Sequence, residues 1–309
     1  MFKKTIALRH SAKKGNEITA DDIEFSKNTE LATPLSAINV VGKVLKEDST
    51  QLREIRSSNL VSRIGAIVVA RMSSSRMRGK ALLKINGRDS IRRVIDRVKK
   101  CQSVETIILA TSTDQSDDEL ARVADEEGIS LFRGSLDNVA ERYYRAAVEY
   151  NLDHFVRVTG DAILVDNIMV DRAIAEHLYS GSDVTFMENM PFGTAKEIIS
   201  ISTIKAIVEN ASIVKNTEYL EYYLMNEKVF NVGYIESPYG AIGNARITLD
   251  YKEDLEFFDV IFKYFDENKE DFDLIDVIKY LDENPEINLI NANRQQKYSS
   301  HEVDTSLAI

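Results

Sequence analysis

The stretch IGAIVVARMSSSRMRGK, residues 64–80, decides the fold. Its first seven residues form a continuous apolar run, which is typical of a strand buried on both faces of a sheet. The loop that follows contains three serines and four cationic side chains, Arg71, Arg76, Arg78 and Lys80. Open α/β folds bind nucleotides at the carboxyl ends of their parallel strands. A cationic loop in this place therefore indicates a polyphosphate site.

Strand and helix patterns alternate after residue 64. Apolar strand patterns recur at 106–112, 130–134 and 154–159, and helical periodicity follows each of them. Short connections between parallel strands require right-handed helical crossovers. The sequence therefore predicts an α/β fold with a doubly wound, mostly parallel sheet and helices on both faces.

The two ends of the chain differ from this central part. Residues 1–57 read as short extended pieces between polar turns, with 10 Lys and Arg against 8 Asp and Glu, whereas residues 251–309 hold 15 Asp and Glu against 6 Lys and Arg. A shift in composition of this kind is typical of a domain boundary. We expect a small, mostly-β domain over 1–58, the α/β domain over 62–300 and a mobile tail over 301–309.

Composition limits the classes of partner. The chain has 309 residues and a net charge of -11, so an extended nucleic-acid interface, which needs a basic face, is not expected. The single cysteine, Cys101, excludes an intrachain disulfide, and the four histidines do not share metal-ligand spacing. No signal peptide or membrane-span pattern is present, which favours the cytoplasm and no membrane partner. A homodimer is compatible with the sequence.

A carboxylate follows the strand pattern at 154–159. Thr159, Gly160 and Asp161 come directly after it and are expected at the carboxyl edge of the sheet. A hard cation such as Mg2+ prefers oxygen ligands, and a glycine allows a ligand to approach the backbone closely. Taken alone, a Gly-Asp pair is more often a turn than a metal site.

A second carboxylate, Asp250, lies where a strand pattern gives way to the final long helix. Asp250 and Asp254 fit two interpretations. Both are able to cap the helix, because carboxylates accept hydrogen bonds from the free N–H groups of the first turn. Alternatively, Asp250 joins Asp161 in a clamp for a divalent ion on a triphosphate.

Five segments carry a family resemblance in order: ARMSSSRMRGKAL at 70–82, ATSTDQSDDEL at 110–120, FRGSLDNVAERYY at 132–144, VRVTGDAILVD at 156–166 and RITLDYKEDLEFF at 246–258. From about Ile64 to Phe258 the chain resembles the SpsF-like cytidylyltransferase family, which is related to CMP-sialic acid and CMP-Kdo synthetases. The resemblance implies a GT-A-like nucleotidyltransferase that transfers CMP from CTP to a sugar and releases pyrophosphate.

The resemblance also implies roles for particular residues. The catalytic set comprises cations on the CTP phosphates, Arg71, Arg76 and Lys80, and two ligands of Mg2+, Asp161 and Asp250. The nucleotide site comprises Ala70, Arg71, Ser74, Arg76, Gly79, Lys80, Thr111, Ser112, Arg133 and Gly160. Binding of the sugar is assigned to Asp137, Arg142, Arg157, Glu197 and Arg246.

Four positions differ from the family pattern. Arg78 and Ile163 stand where the family has proline, Val69 stands where it has glutamine or proline, and Tyr219, after Glu218, stands where it has histidine. Two alternatives are therefore kept. The first is a glycosyltransferase that uses a nucleotide-sugar, and the second is a catalytically silent scaffold.

The first domain carries a resemblance of its own. KKGNEIT at 13–19, ADDI at 20–23 and VVGKVLKED at 40–48 resemble the SAF, or antifreeze-like, domain found at the end of sialic acid synthases. This resemblance implies that the acceptor is a nonulosonic acid or a related keto-sugar acid, in the biosynthesis of a surface polysaccharide.

Overall fold

The computed structural model describes residues 4–27, 40, 43–51, 53, 55, 59–74, 76–210, 220–239, 245–269 and 271–294. The tail expected over 301–309 lies outside these residues, as do Glu218 and Tyr219.

A mostly parallel sheet of seven strands occupies the centre of the described chain. In spatial order its strands are β11 (Val232–Glu236), β9 (Val184–Glu188), β10 (Glu197–Ser200), β8 (His154–Thr159), β3 (Ile64–Val69), β6 (Thr106–Ser112) and β7 (Ser130–Gly134). Strand β10 runs antiparallel to both of its neighbours, and the other pairings are parallel. The α/β, GT-A-like fold expected from the sequence is confirmed.

Helices cover both faces of this sheet. They are α1 (Ser90–Val98), α2 (Asp118–Glu126), α3 (Val139–Glu149), α4 (Asn167–Ser180), α5 (Ile201–Asn210), α6 (Leu220–Leu224), α7 (Lys252–Asn268), α8 (Leu274–Glu283) and α9 (Pro285–Asn288). Apolar residues of α3, α5 and α6 pack on one face, and those of α1, α2, α4, α7 and α8 pack on the other. Side chains alternate along β3, so Ala66 and Val68 point to one cluster and Ile67 to the other. Both faces are therefore buried, which explains the continuous apolar run.

A short hairpin that the sequence analysis did not assign lies between β3 and α1. It pairs β4 (Lys84–Ile85) with β5 (Arg88–Asp89). Its turn residues, Asn86 and Gly87, have φ of 44° and 79°, and Asn-Gly is a strong sequence signal for such a turn. The Asn86 N–H donates to Asp259 Oδ1 at 2.7 Å, which fixes the hairpin to α7.

The described part of the N-terminal segment is a small β unit with its own apolar cluster. Strand β1 (Lys4–Leu8) pairs antiparallel with β2 (Ile23–Lys27), and isolated bridges join 12 to 49 and 17 to 44. The cluster consists of Ile6, Leu8, Ile18, Ile23, Val40, Leu45, Ile55 and Leu60. The mostly-β character is as expected. The SAF resemblance and the boundary between 58 and 62 stay predictions.

No helix in the described ranges is long and apolar enough to cross a membrane.

Two of the four histidines meet inside the α/β domain. His154 Nδ1 and His177 Nε2 lie 3.0 Å apart, and His177 Nδ1 lies 2.9 Å from Thr185 Oγ1. The spacing of the histidines in the sequence did not indicate this pair. With Thr185, it joins β8, α4 and β9. Burial lowers the pKa of His154 to about 4 and that of His177 well below its ordinary value. Both rings are therefore neutral at pH 7.

The histidine pair predicts a loss of stability in mild acid. In the unfolded chain each imidazole binds a proton below about pH 6.5, whereas the folded site resists protonation, so stability falls as the pH drops from 6.5 toward 4. We expect the free energy of unfolding, measured in urea, to be about 2 kcal/mol lower at pH 5 than at pH 7.5 through His154 alone. His154→Gln should remove this part of the pH dependence, and His10→Gln, at an exposed position, should not. Equal slopes in both variants would contradict the assignment.

Candidate active site

Three distant segments meet at one ammonium group. Lys80 Nζ lies 2.8 Å from Asp161 Oδ2, 2.9 Å from Asp250 Oδ1 and 3.0 Å from the carbonyl oxygen of Leu249. The side chains of Lys80 and Asp250 are only 14% and 7% exposed. The structure thus brings together the predicted cationic residue and both predicted carboxylates at the carboxyl edge of the sheet.

Backbone contacts fix the positions of these groups. The N–H of Gly160 donates to Val69 O at 2.9 Å, and the N–H of Leu249 donates to Asp161 O at 3.1 Å. A Cβ at Gly160 would lie 2.9 Å from the Cβ of Ala70, so only glycine permits this approach of the two loops. The predicted involvement of Gly160 and Ala70 therefore has a packing basis.

The charges of this group stabilise one another. Burial alone would lower the pKa of Lys80, but Asp161 and Asp250 more than compensate and raise it. Burial would likewise raise the pKa of Asp161, whereas Lys80 and a hydrogen bond from Thr159 hold it far below its ordinary value. Lys80 and Asp161 are consequently both ionised at neutral pH.

Two arginines complete the surroundings of Asp250. Arg76 Nη2 lies 3.1 Å from Asp250 Oδ1, and Arg246 Nη2 lies 3.0 Å from Asp250 Oδ2. Arg76 approaches from the exposed side and Arg246 from the buried side. We call Arg76, Lys80, Asp161 and Asp250 the ion-pair cluster.

The structure separates the roles of Asp250 and Asp254. Asp254 is fully buried and accepts hydrogen bonds from the N–H groups of Asp250 and Tyr251, both at 2.9 Å, so it caps the start of α7. Arg246 Nε donates to Asp254 Oδ1 at 2.9 Å. The capping interpretation therefore applies to Asp254, while Asp250 faces Lys80. Arg246, predicted on the acceptor side, lies behind Asp250 and supports both carboxylates.

The loop at 70–80 uses several of its own N–H groups to keep its shape. The N–H groups of Ala70 and Gly79 donate to Ala110 O and Met72 O, and that of Met72 donates to Asp117 Oδ1 at 2.7 Å. Ser74 Oγ accepts a hydrogen bond from the N–H of Met77. The predicted phosphate contacts of Ala70, Gly79 and Ser74 thus compete with hydrogen bonds within the loop and to β6. The cationic side chains are the main groups of the loop that suit a phosphate.

Asp117 is a structural residue that the sequence analysis missed. It is fully buried and also accepts hydrogen bonds from the N–H and hydroxyl of Ser112. It therefore ties the loop after β3 to the loop after β6. Its sequence signal is weak, because Asp117 is one of several acidic residues at the start of α2.

The predicted nucleotide contacts on β6 and β7 are turned inward or tied to neighbours. Thr111 and Ser112 are fully buried. Arg133 donates to the carbonyl oxygens of Ser112 and Asp114, both at 2.8 Å, and pairs with Asp118 at 2.7 Å. In this arrangement Arg133 holds the loop after β6.

The segment 135–137 is held in a similar way. Arg142 is fully buried and donates to Ser135 O and Leu136 O, each at 2.9 Å, while Arg71 Nη1 donates to Leu136 O at 3.3 Å. Asp137 is exposed beside them. Arg71 and Arg142 therefore share the carbonyl oxygen of Leu136, and the exposed Asp137 follows it in the chain.

A cavity of about 290 Å³ lies next to the ion-pair cluster. It is lined by Arg157, Thr159, Asp161, Met190, Pro191, Phe192, Gly193, Ala195, Lys196, Glu197 and Thr248. The predicted pair Arg157 and Glu197 lies on its wall, joined by two hydrogen bonds of 2.8 and 2.9 Å. Asp161 belongs to both the cavity and the cluster, so a ligand in the cavity would lie beside the cations. Lys196 is a further lining residue that the sequence analysis missed.

Comparisons with known proteins identify relatives of this chain. The profile of the cytidylyltransferase family matches residues 65–236. An uncharacterised protein of Methanocaldococcus jannaschii is 31% identical over 237 residues, which are 76% of this chain and 97% of that protein. The spore coat polysaccharide biosynthesis protein SpsF of Bacillus subtilis is 28% identical over 232 residues, covering 71% of this chain and 94% of SpsF.

A solved structure of a cytidylyltransferase from Leptospira borgpetersenii superimposes with a TM-score of 0.70 at 25% identity, covering 77% of this chain and 100% of that one. The family match and this solved structure show that the fold is that of a nucleotidyltransferase. The chain belongs to the cytidylyltransferase family.

The position of Arg246 predicts a structural role. Arg246→Met would leave the buried carboxylate of Asp254 without its guanidinium, and breaking a buried pair in this way lowers the free energy of unfolding by about 3–5 kcal/mol. Arg294→Met, which removes an exposed pair with Glu253, should lower it by less than about 1 kcal/mol. Urea unfolding of both variants tests this. Losses of the same size would show that Arg246 does not support the site.

Proposed function

We propose that this chain transfers CMP from CTP to a hydroxyl group of a sugar acid. One observation carries the proposal: Lys80 lies between Asp161 and Asp250, at the edge of a cavity that Asp161 also lines. A cationic side chain that suits a triphosphate therefore lies next to a cavity that suits an acceptor. Membership of the cytidylyltransferase family supports CTP as the donor.

The proposed reaction is a single displacement. A hydroxyl oxygen of the acceptor attacks the α-phosphorus of CTP, the bond from that phosphorus to the β-phosphate oxygen breaks, pyrophosphate leaves and the hydroxyl proton is lost. No covalent intermediate with the protein is needed. The protein contributes by orienting the two substrates and by offsetting negative charge.

The cationic side chains of the loop at 70–80 offset the negative charge of the phosphates. Lys80 and Arg76 both lie within 3.1 Å of Asp250, so they are held in place before a substrate arrives. Arg71 donates to Leu136 O at 3.3 Å, in the segment at 135–137. We propose that these three side chains bind the phosphates, with arginine suited to two parallel contacts and lysine to a point charge.

The carboxylates of the cluster fit a divalent cation. Asp161 and Asp250 each place an oxygen within 2.9 Å of one ammonium nitrogen, so both carboxylates point to a common position for positive charge. Oxygen donors suit Mg2+, which takes its remaining ligands from water and phosphate. No group of three or more His, Cys, Asp or Glu that suits a metal occurs among the described residues. Mg2+ held by Asp161 and Asp250 would take the place of the Lys80 ammonium between them, which leaves Lys80 to contact a phosphate, and it would neutralise phosphate charge.

The acceptor is proposed to be a nonulosonic acid or a related keto-sugar acid. The similarity to SpsF, a spore coat polysaccharide biosynthesis protein, supports a role in surface polysaccharide assembly. The resemblance of residues 1–58 to a domain of sialic acid synthases supports the class of sugar.

Replacing Lys80 should impair turnover. Lys80→Met removes a preorganised cation, which should lower the rate by about 10² to 10³, or about 3 kcal/mol. The measurement is pyrophosphate release with CTP, Mg2+ and either N-acetylneuraminate or 3-deoxy-manno-octulosonate. Lys84→Met is the matched control, since Lys84 is nearby, 63% exposed and paired with Asp89.

Near-normal release by Lys80→Met would contradict the role of Lys80 on the phosphates. Failure of the wild-type protein to bind CTP in calorimetry would contradict the proposed function itself. Binding of CTP without pyrophosphate release from any 2-keto-sugar acid would contradict only the acceptor class.

A further inference from the structure

Lys196 is a buried cation on the wall of the cavity. The residue is only 5% exposed, yet it lines the space next to Asp161. Its ammonium donates to Gly193 O at 3.2 Å and to Ala195 O. Within the part of the chain that the structure describes, no carboxylate oxygen lies within 4.0 Å of it. Its hydrogen bonds are to neutral carbonyl groups, and its charge has no counter-ion in contact.

The nearby carboxylates are already engaged with other cations. Glu197 forms its two hydrogen bonds with Arg157, and Asp161 pairs with Lys80. Burial lowers the pKa of Lys196 to about 8, with Glu197 and Asp161 opposing this shift and Arg157 adding to it. The charged form of Lys196 is therefore less well stabilised than that of Lys80.

The backbone holds Lys196 in this position. Gly193 has a φ of 94°, and a Cβ there would lie 2.3 Å from Ile247 O, so the loop packs directly against the segment that leads to Asp250. The N–H of Ile247 donates to Phe192 O at 2.8 Å, which strengthens the same contact. The carbonyl groups of Gly193 and Ala195, which accept hydrogen bonds from the ammonium, are thus fixed in position. Lys196 is therefore oriented before any ligand binds.

A buried charge without a counter-ion is unfavourable, and an anion that enters the cavity would relieve this cost. The rest of the lining suits a sugar: Thr159 and Thr248 offer hydroxyl groups, and Phe192 offers an aromatic face. A carboxylate on Lys196 would place the remainder of the sugar near Asp161, where the transfer is proposed to occur.

We propose that Lys196 binds the carboxylate of the acceptor sugar and is the residue that selects a sugar acid over a neutral sugar. This inference rests on the proposed function and deepens it. The sugar acid then supplies the counter-ion that the folded protein lacks at this position.

The kinetic test compares an acid with its neutral analogue. With N-acetylneuraminate as acceptor, Lys196→Met should raise KM for the sugar 10-fold or more, about 1.4 kcal/mol or more, and leave KM for CTP within about twofold. With the C1 amide of the same sugar, wild type and variant should be equal. Lys196→Arg should restore part of the affinity for the acid. An equal loss for acid and amide would overturn the proposal.

A test without catalysis separates this proposal from the proposed function. Because Lys196→Met removes a buried charge that has no counter-ion, the variant should unfold at a higher temperature than wild type in the absence of ligands. N-acetylneuraminate should raise the unfolding temperature of wild type and not that of the variant. Lys205→Met, at an exposed position, is the matched control and should match wild type in both measurements.

The outcomes are distinguishable. A ligand-dependent shift in wild type that the variant lacks supports Lys196 even if no pyrophosphate is released, in which case the reaction is at fault. A lower unfolding temperature for the ligand-free variant, with no ligand effect in wild type, shows that Lys196 only satisfies the carbonyls of its loop and overturns the proposal.

Discussion

The active site depends on one shared ammonium group. Lys80 comes from the loop after the first buried strand, and its partners Asp161 and Asp250 lie 81 and 170 residues further along the chain. Each carboxylate is mostly buried, and a buried charge is tolerated only when it is paired and hydrogen-bonded. The convergence of three segments on Lys80 is therefore both a structural requirement and the origin of the cationic site.

A second layer of buried polar contacts makes this convergence possible. Arg246 and Asp254 hold Asp250 from behind, and Asp254 also caps the helix that follows. Asp117 performs a comparable task between the loops after β3 and β6. Because these contacts are buried, the polar groups that form them do not contact a ligand in the cavity. The groups that face the cavity are consequently few and well oriented.

The cavity wall shows a contrast between satisfied and unsatisfied charge. Arg157 and Glu197 lie opposite each other on adjacent strands and neutralise each other through two hydrogen bonds. Lys196, the residue before Glu197, has only carbonyl partners among the described residues. Glu197 is the first residue of β10 and pairs with Arg157 across the sheet, whereas Lys196 belongs to the loop before β10 that Gly193 packs against Ile247, which explains how adjacent residues reach such different surroundings.

The sequence by itself determined the local elements and the residue types of the site. Continuous apolar runs predict the buried strands, and helical periodicity predicts the crossovers. The cationic loop and the two carboxylates, Asp161 and Asp250, are visible as motifs. The Asn-Gly pair at the turn of the β4–β5 hairpin is an equally clear signal in the sequence. These features are local, because they depend on backbone propensity and on which face of an element is buried.

Only the tertiary structure decided what each charged group does. Asp254 caps α7, Asp250 pairs with Lys80, and Arg246 lies behind the site. His154 contacts His177, and Lys196 has no carboxylate in contact within the described part of the chain. Such outcomes depend on side-chain directions and on partners far away in the chain. The energy of a buried charge is set by those partners, and periodicity in the sequence carries no information about them.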